Sequence, residues 1–260
     1  MSLVEDLLGG PVEVEVLKDK PGRRQTARAR GPRGTAIVKQ YVSDRAPIVA
    51  ARLQALADGP PEPVVPAVLG CDPTAHVVVL TDVPGTPLSH DLAAVGRVGQ
   101  ALGTWHAWWA GQRPGPLEDH TPARELAIID TWLARTDGRP AEAAATVRHR
   151  LSDITWAPAT VVHRDLYEEQ ILLGPAVGLI DLDDVALGPP ELDLGNLLAH
   201  LHLLGRRRQV DVRSAAATLL AAYRTAGLTL DDDLLSALRL LSLARLACIH
   251  SDAGLLDGCR

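Results

Sequence analysis

Two hydrophobic rhythms divide this chain near residue 80. Residues 12–17 (VEVEVL) alternate apolar and polar, the period of a half-buried strand. Residues 35–42 (TAIVKQYV) read as a second strand. Residues 64–80 read as two more around Cys71-Asp72-Pro73-Thr74, with the run VVVL at 77–80 continuous enough for burial. Between the first two lies 18–34, crowded with Arg, Gly and Pro, where an exposed loop or ragged hairpin is expected. Residues 46–57 suit a helix, stopped by Asp58-Gly59-Pro60-Pro61. Residues 81–87 (TDVPGTP) break the pattern, and helical spacing then dominates at about 91–110, 122–136, 141–152, 191–204, 211–226 and 231–250. The expectation is an α+β chain in two lobes. A small β-rich lobe spans 1–80, a hinge 81–87, and a larger, mostly helical lobe 88–260, with a ligand cleft between them.

Strand-like runs return only around 161–180, within VVHRDLYEEQILLGPAVGLID. Ile171-Leu172-Leu173 and Val177-Gly178-Leu179-Ile180 flank Gly174-Pro175, which is turn chemistry. A hairpin turning at 174–177 would pair residues whose numbers sum to 351, which sets Gln170 beside Asp181. A carboxylate and an amide oxygen at neighbouring strand ends, with Asp165 five residues back, suit a Mg²⁺-nucleotide site, because hard cations take oxygen ligands.

Composition narrows the class. The chain has 260 residues, enough for one large domain or two lobes with a sizeable core. A formal charge of −6 gives no basic footprint for nucleic acid. Cys71, Cys248 and Cys259 show no zinc spacing, and a reduced cytoplasmic protein is expected. Neither a signal peptide nor a membrane span is legible. Of 26 basic residues only Lys18, Lys20 and Lys39 are lysines, so a lysine inside the strand-like AIVKQY is conspicuous.

These residues together resemble the kinase-like phosphotransferases of the aminoglycoside phosphotransferase/choline kinase group. That group carries a strand lysine, an HGDxxxxN loop and an IDxxxxxxGxxxxDL segment. The matches are Lys39, then His163-Arg164-Asp165 through Gln170, then Ile180-Asp181 through Gly188 to Asp193-Leu194. Gly85-Thr86-Pro87-Leu88 looks like the group's GxxL turn. The resemblance implies a protein kinase-like fold and an ATP- and Mg²⁺-dependent transfer to a small hydroxylated acceptor, by a monomer or homodimer. It casts Asp165 as catalytic base, and Asp181 with Gln170 as metal ligands, joined by Asp183 or leaving Asp183 solvated. Lys39 would neutralise nucleotide phosphates, and the hinge residues Thr81 and Val83 would meet the nucleotide. His163 is expected to support the loop, and Asp193 to pin it by hydrogen bonds or to cap a helix starting near Leu194.

Four departures mark the chain as divergent. Gln170 stands for the usual Asn and Arg164 for the usual Gly, as some bacterial sugar kinases and heptose kinases respectively spell them. No GxGxxG appears. No Glu lies between Asp44 and Asp58 to orient Lys39, which leaves Asp44, Asp58, Glu62 or Gln54 as substitutes. For the acceptor, the acidic candidates are Glu118, Asp119, Glu125, Asp130, Asp137 and Glu142, and the aromatic ones Trp105, Trp108, Trp109 and Trp132. Trp105 and Trp109, at helical spacing, read first as core. An aminoglycoside-like antibiotic or an aminosugar is the favoured acceptor. A nucleotide-binding pseudokinase and a kinase of lipopolysaccharide or another sugar are the alternatives.

Overall fold

Apolar faces sort the elements of the computed structural model, which describes residues 2–226 and 229–257, into an antiparallel sheet followed by a helical body. Cys259 lies outside the described residues. The chain opens with α1 (Leu3–Leu8), which the sequence reading passed over. A capping box starts it: Ser2 Oγ accepts from the Glu5 amide, and Glu5 accepts from the Ser2 amide at 2.8 Å. Its leucines pack on a small cluster with Ala29, Ala36 and Val79.

The sheet runs β1 (Glu13–Lys20), β2 (Arg24–Gly31), β3 (Gly34–Tyr41), β4 (Val68–Asp72) and β5 (Val77–Thr81), in the order β1-β2-β3-β5-β4. Helix α2 (Arg45–Gln54) crosses between β3 and β4. Two expectations are corrected here. Of the two readings of the Arg-rich 18–34 segment, the loop is overturned and the ragged hairpin stands: β2 pairs with β3 along its whole length and with β1 from Arg24 to Arg30, with a register shift between Val16 and Lys18, placing small residues, Ala27 and Ala29, inward. The strand at 12–17 exists but is not half-buried. It is the sheet's edge, α1 covers β2, β3 and β4 instead, and Val14 and Val16 stay 61% and 54% exposed.

After β5 the chain passes through β6 (Thr86–Pro87) into α3 (Val95–Trp108), α4 (Pro122–Leu133) and α5 (Gly138–Arg150). The short strands β7 (Thr160–Val162), β8 (Ile171–Leu173), β9 (Val177–Leu179) and β10 (Ala186–Gly188) come next. They are followed by α6 (Glu191–Arg208), α7 (Arg213–Arg224) and α8 (Asp232–His250). Helices α3 and α7 touch backbone to backbone, so glycine is required on α3. A Cβ at Gly99 would sit 2.3 Å from the Leu219 carbonyl oxygen. Trp105 and Trp109 are core, edge to face at 5.9 Å, and the Trp105 indole donates to the Val161 carbonyl. No helix among the described residues is long and apolar enough to cross a membrane.

The β8–β9 hairpin forms as the turn chemistry implies, but one residue out of the expected register. Ile171 pairs with Leu179 and Leu173 with Val177, so partner numbers sum to 350. Gln170 therefore faces Ile180, whose amide donates to the Gln170 carbonyl at 3.0 Å, and Asp181 lies one step beyond. Burial decides this register: it sets Ile171, Val177 and Leu179 into the core.

Candidate active site

Asp193 organises the loop that carries Asp165. Fully buried in the first turn of α6, it accepts at Oδ2 from the His163 amide (2.7 Å) and at Oδ1 from the Arg164 amide (2.8 Å). Burial pushes its pKa up, and hydrogen bonding from His106 and the charges around it bring the net value below the usual range. The helix begins at Glu191, so Asp193 pins the loop and does not cap. His163 Nε2 donates to the Ile180 carbonyl at 2.8 Å, tying the loop to the β9 end. Asn196 Nδ2 holds the Leu166 carbonyl, and Asn196 Oδ1 accepts from Arg245 at 2.5 Å. Arg164 sits where φ is +73°, a left-handed residue carrying a side chain. Between these pins the Asp165 side chain is 51% exposed and makes a long ion pair with Arg245 at 3.8 Å.

Across the cleft the sheet contributes cations. Lys39 Nζ lies 2.8 Å from Asp181 Oδ1 and 2.5 Å from Asp183 Oδ1. Arg24, the first residue of β2, donates to Asp181 Oδ2 at 2.5 Å and forms a short ion pair with Asp183 Oδ2. Tyr41 Oη donates to the same Asp183 oxygen at 2.8 Å. Asp183 is thus buried and not solvated. Burial opposes the ionisation of Asp181, but Lys39 and Arg24 overcome it and hold the carboxyl well below the usual range. The four candidate substitutes for a helix Glu do not engage Lys39. Asp44 pairs with His76, Glu62 accepts from the Val177 amide, the Asp58 carbonyl meets Trp108, and Gln54 makes no such contact.

Two cavities meet at Arg24 and Asp181. The larger, of about 430 Å³, is lined by Lys39, Gln170, Leu80, Thr81, Val83 and Leu172, among others. Thr81 Oγ1 accepts from the Ala67 amide, which leaves it facing β4 with its hydroxyl engaged. The smaller cavity, of about 290 Å³, adds Asp165, Lys20, Arg23 and Arg45. Lys39, Thr81, Val83, Asp165, Gln170, Asp181 and Asp183 each line at least one of the two cavities. Sequence reasoning missed Arg24, because the strand that aims it at the acidic pair was itself not legible.

The oxygen donors fit a hard divalent cation. Gln170 Oε1 is buried with no hydrogen-bond partner, an orphan that such a cation would satisfy. No cluster of three or more His, Cys, Asp or Glu side chains among the described residues forms a metal cage. A cation here would draw on Gln170, Asp181 and oxygens brought by a ligand. The acceptor candidates lie elsewhere. Glu118 pairs with Arg124, Asp119 with Arg113 and Asp130 with Arg148, while Glu125 is buried against His120.

Residues 21–233 match the model of the phosphotransferase enzyme family. No curated protein matches the sequence. Among solved structures, a type VIII aminoglycoside-3'-phosphotransferase superposes with a TM-score of 0.67 at 23% identity, over 92% of this chain and 98% of that one. An amicoumacin kinase in complex with AMP-PNP, Ca²⁺ and its ligand also gives 0.67, at 13% identity over 91% and 80%. Choline kinase from Streptococcus pneumoniae gives 0.64, at 15% identity over 98% and 89%. At these identities the likeness is one of fold, the two-lobed α+β architecture expected from the sequence.

Proposed function

The chain belongs to the phosphotransferase enzyme family and is a small-molecule phosphotransferase; from that premise we propose that it moves the γ-phosphate of ATP to a hydroxyl of its acceptor. The observation that carries this reading is the pair of cavities joined at Asp181, one reaching Lys39 and the other Asp165. ATP would occupy the larger, its base against Thr81 and Val83 and its phosphates toward Lys39. The acceptor hydroxyl would enter beside Asp165, whose exposed carboxylate accepts or orients the leaving proton. Gln170 and Asp181 would hold Mg²⁺, with buried Asp183 acting on Lys39 more than on the metal. The cation's contribution is neutralisation of phosphate charge. A reduced, ATP-supplied cytoplasm suits the free thiols of Cys71 and Cys248.

An aminoglycoside-like or aminosugar acceptor draws support from the neighbouring structures. It draws none from Glu118, Asp119, Glu125 or Asp130, which are engaged by arginine or histidine. The deciding assay follows ATP consumption with Mg²⁺ across a panel of aminoglycosides, aminosugars and neutral sugars. Asp165→Asn is expected to lower turnover by about 10²–10⁴-fold while leaving the melting temperature in place. Nucleotide binding without acceptor-dependent turnover would instead favour a regulatory pseudokinase.

A further inference from the structure

The turn between β1 and β2 lacks the backbone with which a glycine loop cradles phosphate. The strands stay paired up to Lys20 and Arg24, leaving only Pro21, Gly22 and Arg23 between them. Pro21 has no N–H, and the Arg23 amide donates to the Lys20 carbonyl at 3.0 Å. Gly22, at φ +71°, is the only glycine there. Few amides are free to point at a nucleotide.

A side chain stands in that place. Arg24 lines both cavities, so its guanidinium occupies the junction between the nucleotide-sized space and the space beside Asp165. Its side chain is 12% exposed, and Nε is buried without a partner while the other two nitrogens grip Asp181 and Asp183. Two cations, Arg24 and Lys39, face two carboxylates, so the resting cluster is neutral. A nucleotide whose phosphates carry a divalent cation places a second claim on the Asp181 oxygens. Both groups now on that carboxylate, Lys39 and Arg24, gain an alternative partner in the phosphate, and of the two only Arg24 also lines the cavity beside Asp165. Its planar fork matches phosphate oxygens bidentately.

We propose that Arg24 grips the terminal phosphate of the nucleotide in place of glycine-loop amides, and that its ion pairs with Asp181 and Asp183 are the resting position from which it does so. This inference rests on the nucleotide-using function above. It assigns the discrimination between nucleoside tri- and diphosphate to a side chain on β2.

Calorimetric titration of AMP-PNP and ADP, each with Mg²⁺, tests it on the full chain. Arg24→Ala is expected to weaken AMP-PNP at least about tenfold, the loss of one hydrogen bond to a charged group, and to move ADP far less. Arg24→Lys keeps the ion pairs but not the fork, and is expected to lose part of the same preference; it serves if the alanine variant does not fold. Equal losses for both nucleotides, or tighter AMP-PNP binding by Arg24→Ala, would overturn the proposal and leave Arg24 a structural partner of the carboxylates. Wild-type protein that binds neither nucleotide would instead overturn the phosphotransfer reading itself, and this inference with it.

Discussion

Lys39 Nζ lies 2.5 Å from Asp183 Oδ1, so the strand lysine is oriented by the segment that follows β9 and not by helix α2. Asp183 also takes Tyr41 and Arg24, and is 2% exposed. Removing one side of a buried ion pair leaves the other charge uncompensated. Asp183→Ala is therefore expected to destabilise the protein by about 3–5 kcal/mol. Urea unfolding at pH 7 measures it, and a loss under about 1 kcal/mol would mean that Lys39 and Arg24 reach water or Asp181 without cost.

The Arg164 backbone yields a second expectation. Its φ of +73° is a region that costs a side-chain-bearing residue about 1–2 kcal/mol, partly offset by the extra entropy glycine loses on folding. Arg164→Gly and Arg164→Ala both remove the guanidinium and its bond to the Asp184 carbonyl, so their difference isolates the backbone. The glycine variant is expected to be more stable by about 0.5–1 kcal/mol. Paired denaturant curves would read it, and an alanine variant of equal stability would refute the strain.

How far the sequence reached depends on what set each feature. Elements with a strong apolar period were legible: β3, β5 and the six longer helices all appear where periodicity places them. Helix α1, with six residues, is too short to show a period, and its capping box was the readable signal. Strand β2 was hidden because its core positions are alanines between arginines; neighbouring strands, not its own hydrophobicity, hold it in place. The hairpin register slipped by one because turn chemistry does not weigh which residues the core demands. Asp165, Gln170 and Asp181 could be grouped from sequence because one short segment carries them, and they line the two adjoining cavities. The partner of Lys39 was not, since the search ran along α2 while the carboxylate came from 144 positions downstream.

Asp193 gives the loop a pH dependence of known sign. Its folded-state pKa is depressed by hydrogen bonding from His106 and by the histidine charges, against the opposing effect of burial. The stability it contributes is present above the unfolded carboxyl value of about 4 and is lost as pH falls below that toward the depressed folded value. Asp193→Asn should cost about 2–3 kcal/mol at pH 7, since an amide cannot accept from both the His163 and Arg164 amides with charge. The gap between wild type and variant is expected to narrow as the pH falls below about 4. Denaturant titrations at pH 7, 5 and 3.5 would check this, and a constant gap would show that the carboxylate charge is irrelevant to the pin.

His200 carries the opposite chemistry, because its ring, 15% exposed, is held neutral. It stacks on Tyr167 at 4.9 Å, beside the loop that carries Asp165. Burial, with the charges of Arg245, His250 and Arg207, depresses its pKa to about 3. Above the unfolded value of about 6.5 the ring is neutral in both states and exerts no pH effect. Between 6.5 and 3 only the unfolded chain takes the proton, so folding stability falls as the solution is acidified. At pH 5 the difference amounts to about 2 kcal/mol. His200→Gln removes the titrating group while keeping a polar side chain. It is expected to flatten the stability profile between pH 7 and 5 while shifting stability at pH 7 by less than the wild type loses on acidification. Melting curves at pH 7, 6 and 5 decide it; a variant whose slope equals that of the wild type would assign the acid sensitivity to other groups and place His200 in contact with water.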